Sequence, residues 1–319
     1  MLIHFQLILR KRKMKYFSEI FVQIKNFVKS IKINYPIAKK TWFGSGGRTS
    51  IFFEAQSIMS LKFFLNLIPI SVPIFIIGMG SNVLIRDGGF RGVTIKLKDD
   101  FNKISIDKSN KFLKVGSGVK NIDLAKFCEV NNIGGFEFLV GIPGSVGGSV
   151  KMNAGCFKQS ISDHIIKITV LDRIGRIYTI NKKNINFDYR KTQIPNHYII
   201  IDSTFNINKK SRILIKNKMK SISLKRKKTQ PTNTRTGGST FKNTESFKAW
   251  ELIEKINFRG KSFGGAKISK LHPNFIINHN NAKSLDIEVL GEEIVEEVMK
   301  KTGVCLEWEI KRIGNFEKF

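Results

Sequence analysis

A glycine-rich segment at residues 134–155 offers the clearest chemistry in the chain. Glycine lacks a Cβ, so the backbone there can adopt positive φ and bring N–H groups directly against phosphate oxygens. A second glycine-containing loop, Gly-Met-Gly-Ser-Asn at residues 78–82, follows an apolar run. It is not a Rossmann fingerprint, because Val83 stands where the third glycine belongs and the pattern continues as strand and turn. The two segments together favour a ligand with a pyrophosphate.

Tight turns between buried elements are the structural alternative for such glycines. Two phosphate-type loops in one domain fit a dinucleotide such as FAD, and we therefore predict that both segments bind this cofactor through their backbone. The residues predicted to contact it are Gly78, Gly80, Ser81, Asn82, Gly141, Gly144, Ser145, Gly147, Gly148, Asn153 and Gly155.

Short strands and few helices must position these loops in the first two thirds of the chain. Apolar residues at helical spacing predict an amphipathic helix over residues 17–31 and a second helix over 119–131. Short apolar runs between glycines predict strands over residues 73–77, 83–86, 93–97, 103–107, 112–115, 164–172, 176–180 and 198–207. This order indicates an α+β fold rather than a regular βαβ array.

The sequence pattern of the last third of the chain indicates a second unit. A long basic helix is predicted over residues 209–228, and the polar segment 229–238 that follows is typical of a boundary. Beyond it, the pattern predicts helices over residues 247–256 and 284–302, and strands over 263–269, 274–278 and 304–310. These elements amount to an α/β module of about one hundred residues.

Composition limits the partners and the compartment. The chain has 319 residues and a formal net charge of +30, but its Lys, Ile, Asn and Phe residues are spread throughout, as A/T-rich coding bias would produce. Only residues 225–228 form a dense basic cluster, and no RNA-binding or zinc-finger signature accompanies it, so we predict no nucleic-acid partner. Three widely spaced cysteines suggest neither disulfides nor a metal site and favour the cytoplasm. No apolar run is long enough to predict membrane insertion.

Several motifs resemble, in order, those of the UDP-N-acetylenolpyruvoylglucosamine reductases (MurB), flavoenzymes of peptidoglycan synthesis. They lie at residues 78–84, 141–148, 152–155, 189–190, 238–243 and 306–314. The resemblance covers nearly the whole chain after about Phe27 and, without a further insertion in the C-terminal half, indicates the shorter subclass. It implies an N-terminal extension and helix (1–31), a two-lobed FAD-binding domain of the vanillyl-alcohol-oxidase (PCMH) type (32–208), and a linking helix with a smaller α/β substrate-binding domain (209–319).

The resemblance also implies three catalytic residues. Ser239 corresponds to the serine of the family's Gly-Ser-x-Phe motif, the proton donor, while Arg190 and Glu309 correspond to the arginine of the Tyr-Arg motif and the glutamate of the C-terminal motif. Taken singly, each is better explained without catalysis: Ser239 as a turn serine, Arg190 as a solvated strand end and Glu309 as a surface carboxylate. Alternation over residues 304–310 adds independent support, because it places Glu309 on the face opposite the apolar side chains.

The implied reaction reduces an enolpyruvyl sugar. NADPH would reduce FAD and leave, and the hydride would then pass from flavin N5 to the enolpyruvyl methylene carbon of UDP-N-acetylglucosamine enolpyruvate. Arg190 and Glu309 would stabilise the resulting charge, and Ser239 would deliver the proton that completes UDP-N-acetylmuramate. Successive use of one site by both substrates implies ping-pong kinetics.

The substrate-binding residues are predicted less directly than the catalytic ones. Asn243, Ser269 and His272 match positions that the family uses around the nucleotide-sugar pocket, although His272 is equally plausible as a structural hydrogen-bonding residue. The basic cluster 225–228 either meets the UDP diphosphate or forms a solvated helix face.

Three departures from the family pattern concern loop geometry. Thr244 replaces the usual proline, Thr192 the usual serine, and Cys-Phe-Lys at residues 156–158 the common Ala-Tyr-Gly. None of them removes a side chain of the implied catalytic trio.

Two other functions remain open on the sequence. A flavin oxidase or dehydrogenase for another sugar or hydroxy acid would use the same phosphate loops, but it would not need to protonate a carbanion. A basic protein that binds nucleic acid or another polyanion and has lost its flavin would explain the charge without the motifs.

Overall fold

The structure, a computed structural model, describes residues 27–317. Its helices are α1 (Ile58–Leu67), α2 (Asn121–Val130), α3 (Val146–Lys151), α4 (Arg212–Thr229), α5 (Ala249–Lys255) and α6 (Ser284–Thr302). Its strands are β1 (Ile31–Pro36), β2 (Arg48–Ala55), β3 (Ile74–Ile76), β4 (Val83–Ile85), β5 (Phe90–Leu97), β6 (Ile104–Ile106), β7 (Phe112–Gly116), β8 (Ile133–Gly134), β9 (Gly155–Cys156), β10 (Gln159–Ser160), β11 (Ile165–Leu171), β12 (Ile177–Asn181), β13 (Phe187–Asp188), β14 (Lys191–Thr192), β15 (Ile199–Asn206), β16 (Asn208–Lys209), β17 (Ser262–Phe263), β18 (Ala266–Ile268), β19 (Ile276–Asn278) and β20 (Lys311–Ile313). No helix of this described part is long and apolar enough to cross a bilayer.

The first lobe is a four-stranded sheet in the order β1-β2-β5-β3, with helix α1 packed on it. Strand β1 is antiparallel to β2, whereas β2 and β3 both run parallel to the central strand β5. The buried side chains of β2, α1 and β5 form one core with Leu171, Ile199 and Ile201, which belong to the next sheet. The first lobe is therefore packed directly against the second.

The second lobe is a five-stranded antiparallel sheet in the order β12-β11-β15-β7-β6. Helices α2 and α3 and the first half of α4 bury their apolar side chains in its core. The basic helix α4 thus has one face, with Ile215 and Met219, inside this lobe, while its lysines lie on the opposite face.

The C-terminal unit packs helices α5 and α6 on the antiparallel sheet β17-β18-β19. It is not a separate body, because Phe43 and Leu84 of the N-terminal half lie within its core. Strand β20 pairs in parallel with β4, which comes directly after the loop at residues 78–82. The end of the chain is thereby held beside the predicted phosphate loop.

Most sequence-predicted elements are confirmed, with three kinds of difference. Strands β1 and β2 and helix α1 were missed: no element was predicted between residues 32 and 72, although Gly44, Gly46 and Gly47 stand directly before β2. The strand predicted over residues 304–310 is wrong; only an isolated bridge between Phe241 and Trp308 occurs there, although Leu306 and Ile310 are buried as the alternation required. Residues 17–26 of the predicted N-terminal helix lie outside the described part of the chain.

Ion pairs fix the C-terminal unit to the first lobe. Arg86, at the end of β4, donates to both carboxylate oxygens of Glu288 on α6 at 2.9 and 3.0 Å, and Arg312 of β20 donates to the same carboxylate at 3.3 Å. The Asp87 carboxylate accepts the backbone N–H groups of Ser284 and Leu285 at 3.0 Å each and so caps α6. Glu288 is 5% exposed, so its charge depends on these arginines.

Removing this carboxylate should weaken the whole assembly. We expect Glu288→Ala to lower the free energy of unfolding by about 3 kcal/mol, because the poorly solvated guanidinium of Arg86 loses its carboxylate partner, whereas Arg312 keeps Glu292. Urea unfolding followed by circular dichroism measures the change. Glu297→Ala on the solvent face of the same helix is the matched control and should leave the midpoint unchanged. Equal midpoints for both variants would show that the ion pairs do not hold the units together.

Candidate active site

A cavity of about 890 Å³ lies where the two lobes and the C-terminal unit meet. One wall is the loop at residues 78–82, a second is the segment 140–149, and a third comes from residues 236–239 and 309–311. All three walls come from segments outside the large sheets. The sheets therefore act as the scaffold and the loops carry the site.

The loop at residues 78–82 presents its backbone to the cavity. Within the described chain, none of its N–H groups donates to an acceptor. Gly80 has a φ of +66°, and an added Cβ would lie 2.1 Å from the Lys40 carbonyl oxygen, so only glycine fits there. The Ser81 hydroxyl donates to the Pro143 carbonyl at 2.7 Å and ties this loop to the second one.

The second loop is held open by Asn121 of α2. The Asn121 side-chain amide donates to the Ile142 carbonyl at 2.9 Å, and its backbone N–H donates to the Gly144 carbonyl at 3.0 Å. Ser145 begins helix α3 and accepts the N–H of Gly148 at 3.4 Å. The N–H groups of Gly144 and Ser145 have no acceptor within the described residues.

The glycines of these loops serve two different purposes. Cβ atoms at Gly78, Gly147 and Gly155 would collide with Ser145, Ser117 and Gln159, so these glycines are needed for packing. A Cβ at Gly148 would meet only the Ser145 hydroxyl, at 3.5 Å, and would otherwise project into the cavity. Free N–H groups on two facing loops, with Gly148 leaving space between them, fit the pyrophosphate of a dinucleotide.

Not every predicted cofactor contact faces the cavity. Gly141 and Gly155 line it, but Asn153 does not; with a φ of +41°, it turns its amide to the Asp188 carbonyl at 3.0 Å. That bond joins the end of the glycine segment to the β13–β14 hairpin. The hairpin carries Arg190, so Asn153 supports the site from behind.

Arg190, Ser239 and Glu309 come together at the cavity wall although they are distant in sequence. Arg190 has a φ of +54° at the tip of the β13–β14 hairpin, and its Nε donates to Glu309 Oε1 at 2.7 Å. The Glu309 N–H donates to the carbonyl of Thr240, the neighbour of Ser239, at 2.8 Å. The Glu309 carbonyl accepts the side-chain amide of Asn82 at 3.1 Å. Glu309 is therefore fixed to the phosphate loop, to the serine segment and to the second lobe.

The electrostatics of Glu309 combine two opposing effects. Burial raises the pKa of its carboxyl, whereas the charge and hydrogen bond of Arg190 act to lower it, and burial dominates. The Ser239 hydroxyl lines the cavity and has no hydrogen-bond partner within the described chain. Gly238 before it has a φ of +84° and open space around it. The wall thus offers a fixed cation, a carboxyl that resists ionisation and an available hydroxyl.

Asn243, Ser269 and His272 lie in the C-terminal unit but are not part of the cavity wall. Asn243 accepts the N–H of Ala249 at 3.0 Å, and Ser269 accepts the N–H groups of Leu271 and His272. His272 Nδ1 accepts the N–H of Asn274 at 3.3 Å, and burial together with Arg259 lowers its pKa to about 4. All three side chains thus form hydrogen bonds to backbone groups nearby in sequence. Contact of these residues with a nucleotide sugar stays a prediction.

Sequence reasoning missed several residues that line the cavity. Among them are Trp42, Lys151 and Lys311, while Arg226 and Lys227 come from the basic cluster for which two readings were open. Lysine alone carries no local signal in a chain so rich in it. The distinguishing signal at Lys151 is that it continues a helix whose other residues are small or apolar.

A two-lobed domain with paired phosphate loops, closed by a unit that contributes a serine and a carboxyl, is typical of FAD-dependent oxidoreductases. Residues 51–181 match the model of the FAD binding domain, and residues 230–313 match that of the UDP-N-acetylenolpyruvoylglucosamine reductase C-terminal domain.

Proteins called UDP-N-acetylenolpyruvoylglucosamine reductase are similar to this chain over most of its length. UDP-N-acetylenolpyruvoylglucosamine reductase of Orientia tsutsugamushi (strain Boryong) is 44% identical over 283 residues, covering 88% of this chain and 93% of the relative. The Rickettsia prowazekii (strain Madrid E) enzyme is 46% identical over 285 residues, covering 89% and 96%. The crystal structure of the Thermus caldophilus enzyme superposes with a TM-score of 0.77 at 27% identity, covering 89% of this chain and 98% of that one. The chain belongs to the UDP-N-acetylenolpyruvoylglucosamine reductase (MurB) family and is an FAD-dependent oxidoreductase of peptidoglycan precursor synthesis.

The open space at Gly148 gives a test of the flavin loop. We expect Gly148→Ala to stabilise the apoprotein by about 0.5–1 kcal/mol, because alanine favours helix, and to weaken FAD binding about tenfold or more, because the methyl group occupies ligand space. Thermal unfolding of the apoprotein and flavin fluorescence titration measure the two effects.

The neighbouring glycine is the matched control. A Cβ at Gly147 would lie 2.7 Å from that of Ser117, so Gly147→Ala should destabilise the apoprotein itself. Unchanged FAD affinity in Gly148→Ala would place the cofactor elsewhere.

Proposed function

We propose that this protein uses NADPH to reduce the enolpyruvyl group of UDP-N-acetylglucosamine enolpyruvate, yielding UDP-N-acetylmuramate. The observation that carries the proposal is the Arg190–Glu309 ion pair, at 2.7 Å, on the wall of the flavin cavity beside Ser239. FAD bound to the two loops would supply the hydride that is first accepted from NADPH and then given to the substrate. The protein's own residues must handle the charge and the proton.

Arg190 would stabilise the negative charge that develops as the enolpyruvyl carbon is reduced. A guanidinium remains charged at all relevant pH values and offers donors in a fixed plane, which suits a carboxylate. Its position at the hairpin tip is set by Glu309, and both side chains are mostly buried, with exposures of 21% and 16%. In this environment of low dielectric, a preorganised cation stabilises the transition state more than it would in water.

Ser239 would donate the proton to the carbon that carries the carboxylate. Its hydroxyl is free within the described chain and follows the positive-φ residue Gly238, so substrate can approach it without displacing a protein partner. A serine is a weak acid, but the carbanion it would protonate is strongly basic. Glu309, its pKa raised by burial, would orient this donor or share its proton with it.

The C-terminal unit, at residues 209–319, would bind the nucleotide sugar, and the two lobes, at residues 32–208, would bind the flavin. Arg226 and Lys227 line the cavity and are available to the diphosphate. Asn243, Ser269 and His272 would shape the outer part of this surface through the turns that they stabilise. All three cysteines are free thiols, which fits a reducing compartment, and we place the enzyme in the cytoplasm.

An anaerobic absorbance experiment tests this function directly. Purified protein should show flavin bands that bleach when NADPH is added and return when UDP-N-acetylglucosamine enolpyruvate follows. Bleaching without return would retain the flavoenzyme and reject this substrate. A colourless protein that takes up no FAD would reject the function altogether. Parallel lines in initial-rate plots would support the ping-pong order, and a matching series with NADH measures the cosubstrate preference.

Ser239→Ala should separate the two half-reactions. Flavin reduction by NADPH should stay nearly normal, whereas reoxidation by the enolpyruvyl sugar should slow about 10²- to 10⁴-fold, as expected for a lost general acid. Stopped-flow absorbance measures both rates. Ser262→Ala, at an exposed position of the edge strand β17, is the matched control and should behave as the unmodified protein. A Ser239→Ala enzyme with normal reoxidation would remove Ser239 from the role of proton donor.

A further inference from the structure

A side chamber of about 270 Å³ adjoins the Arg190–Glu309 pair. One side of it comes from the second lobe, with Lys151, Thr192 and Asn196, and the other from Lys242 and residues 307–311 of the C-terminal unit. Lys151, Arg190, Glu309 and Lys311 line both this chamber and the flavin cavity. The two spaces therefore communicate at the proposed reacting centre.

The chamber carries cations without carboxylate partners. It contains two acidic side chains, and both are engaged: Glu309 with Arg190, and Glu307 with Lys242. Within residues 27–317, no carboxylate lies within ion-pair distance of Lys151 or Lys311. Arg190, Lys191 and Lys242 add further positive charge around these two lysines. The chamber therefore carries an excess of positive charge, which a bound anion would balance.

The ammonium group of Lys151 is held in place by the second lobe. Its Nζ donates to the Ile194 carbonyl, while its own carbonyl accepts the Thr192 hydroxyl at 2.8 Å. Burial and the nearby Lys311 lower the pKa of Lys151 to about 8. Burial, with Lys242 next, likewise lowers the pKa of Lys311. Lys151 is half-buried, whereas Lys311 keeps contact with solvent. The fold thus places two lysines on the wall of one chamber, and the partial burial of Lys151 costs stability.

We propose that Lys151, with Lys311 beside it, binds the carboxylate of the enolpyruvyl substrate in this chamber. The inference rests on the proposed function, which places the substrate's reacting carbon beside Arg190, Ser239 and Glu309. The carboxylate is attached to the carbon that receives the proton, so it must lie within one bond of that centre. The chamber takes a three-carbon acid group, whereas a nucleotide needs a larger pocket.

This contact would contribute to the rate as well as to binding. When hydride adds to the methylene carbon, the electron pair of the double bond moves to the neighbouring carbon and partly into its carboxylate, until a proton from Ser239 closes the new C–H bond. A cation at the carboxylate is attracted more strongly to this charged state than to the ground state. Loss of the Lys151 charge should therefore lower kcat together with kcat/KM.

The pH dependence has a definite sign. In the free enzyme the charged form of Lys151 is lost as pH rises through about 8, so kcat/KM for the enolpyruvyl sugar should fall on that alkaline limb. The other charged groups that line the chamber with Lys151 are Lys311, Lys191, the Lys242–Glu307 ion pair and the Arg190–Glu309 ion pair. Lys151→Arg should move the limb to higher pH, because arginine keeps its proton.

Lys151→Gln is the sharpest variant, since it removes the charge while the side-chain amide keeps an N–H donor for the Ile194 carbonyl. We expect reoxidation of reduced flavin by the enolpyruvyl sugar to slow about 30-fold, as for a lost charge-assisted hydrogen bond, with flavin content and NADPH reduction unchanged. Apoprotein stability at pH 7 should not fall, because a destabilising buried charge has been removed. A purely structural role would instead lower stability and both half-reactions. Lys220→Gln on exposed α4 is the matched control and should behave as the unmodified protein.

An equilibrium measurement separates this inference from the proposed function. The unmodified protein should bind UDP-N-acetylmuramate, which has the carboxylate, more tightly than UDP-N-acetylglucosamine, which lacks it, as read from flavin absorbance. Lys151→Gln should abolish most of that difference. A normal enzyme whose preference survives in Lys151→Gln would overturn the inference and leave the function standing, whereas an unmodified protein without turnover of the enolpyruvyl sugar would overturn the function itself.

Discussion

The candidate active site depends on one mostly buried ion pair that crosses the boundary between two units. Arg190 comes from a hairpin tip in the second lobe and Glu309 from the last segment of the chain, and their side chains meet at 2.7 Å. Such pairs seldom increase stability, since both charges must leave water. The strained φ of +54° at Arg190 adds a further cost. A role of the pair in the chemistry of the cavity would explain why the fold accepts both costs.

The rest of the fold holds the two ends of this pair at a fixed separation. Glu309 is tied by its backbone to Thr240 and to Asn82 of the phosphate loop, and the parallel pairing of β20 with β4 continues directly from it. Asn153 anchors the hairpin of Arg190 to the glycine segment. The first loop and the end of the glycine-rich segment, whose neighbouring N–H groups face the cavity, therefore also position Glu309 and Arg190. Under the proposed function, cofactor binding and catalysis share one framework, so a disturbance of either segment should affect both.

The sequence predicted which residues line the cavity better than it predicted the contacts between them. The phosphate loops and the three side chains at the cavity wall were identified because they occur in local motifs. The pairing of Arg190 with Glu309 could not be derived, because it depends on contacts between units more than one hundred residues apart. Asn243, Ser269 and His272 show a second limit of sequence motifs. A motif does not distinguish a residue that stabilises a turn or a helix start from one that binds a ligand. Lys151 was missed because lysine is too common in this chain to attract notice, although it ends a helix whose other residues are small or apolar.

The charge of the chain has two separate meanings, and the structure tells them apart. Most lysines, such as Lys216 and Lys220 of α4, lie on solvent-exposed faces away from the cavity, where water and salt screen them. Around Glu309, positive charges crowd into poorly solvated space, and there each one affects its neighbours. Under the proposed function, a substrate carboxylate entering this space would draw Arg190 partly away from Glu309 and add negative charge beside it. Both effects raise the pKa of a carboxyl that burial has already raised. Substrate binding would thus favour the protonated form of Glu309, the form able to pass a proton towards Ser239 when the carbanion requires one.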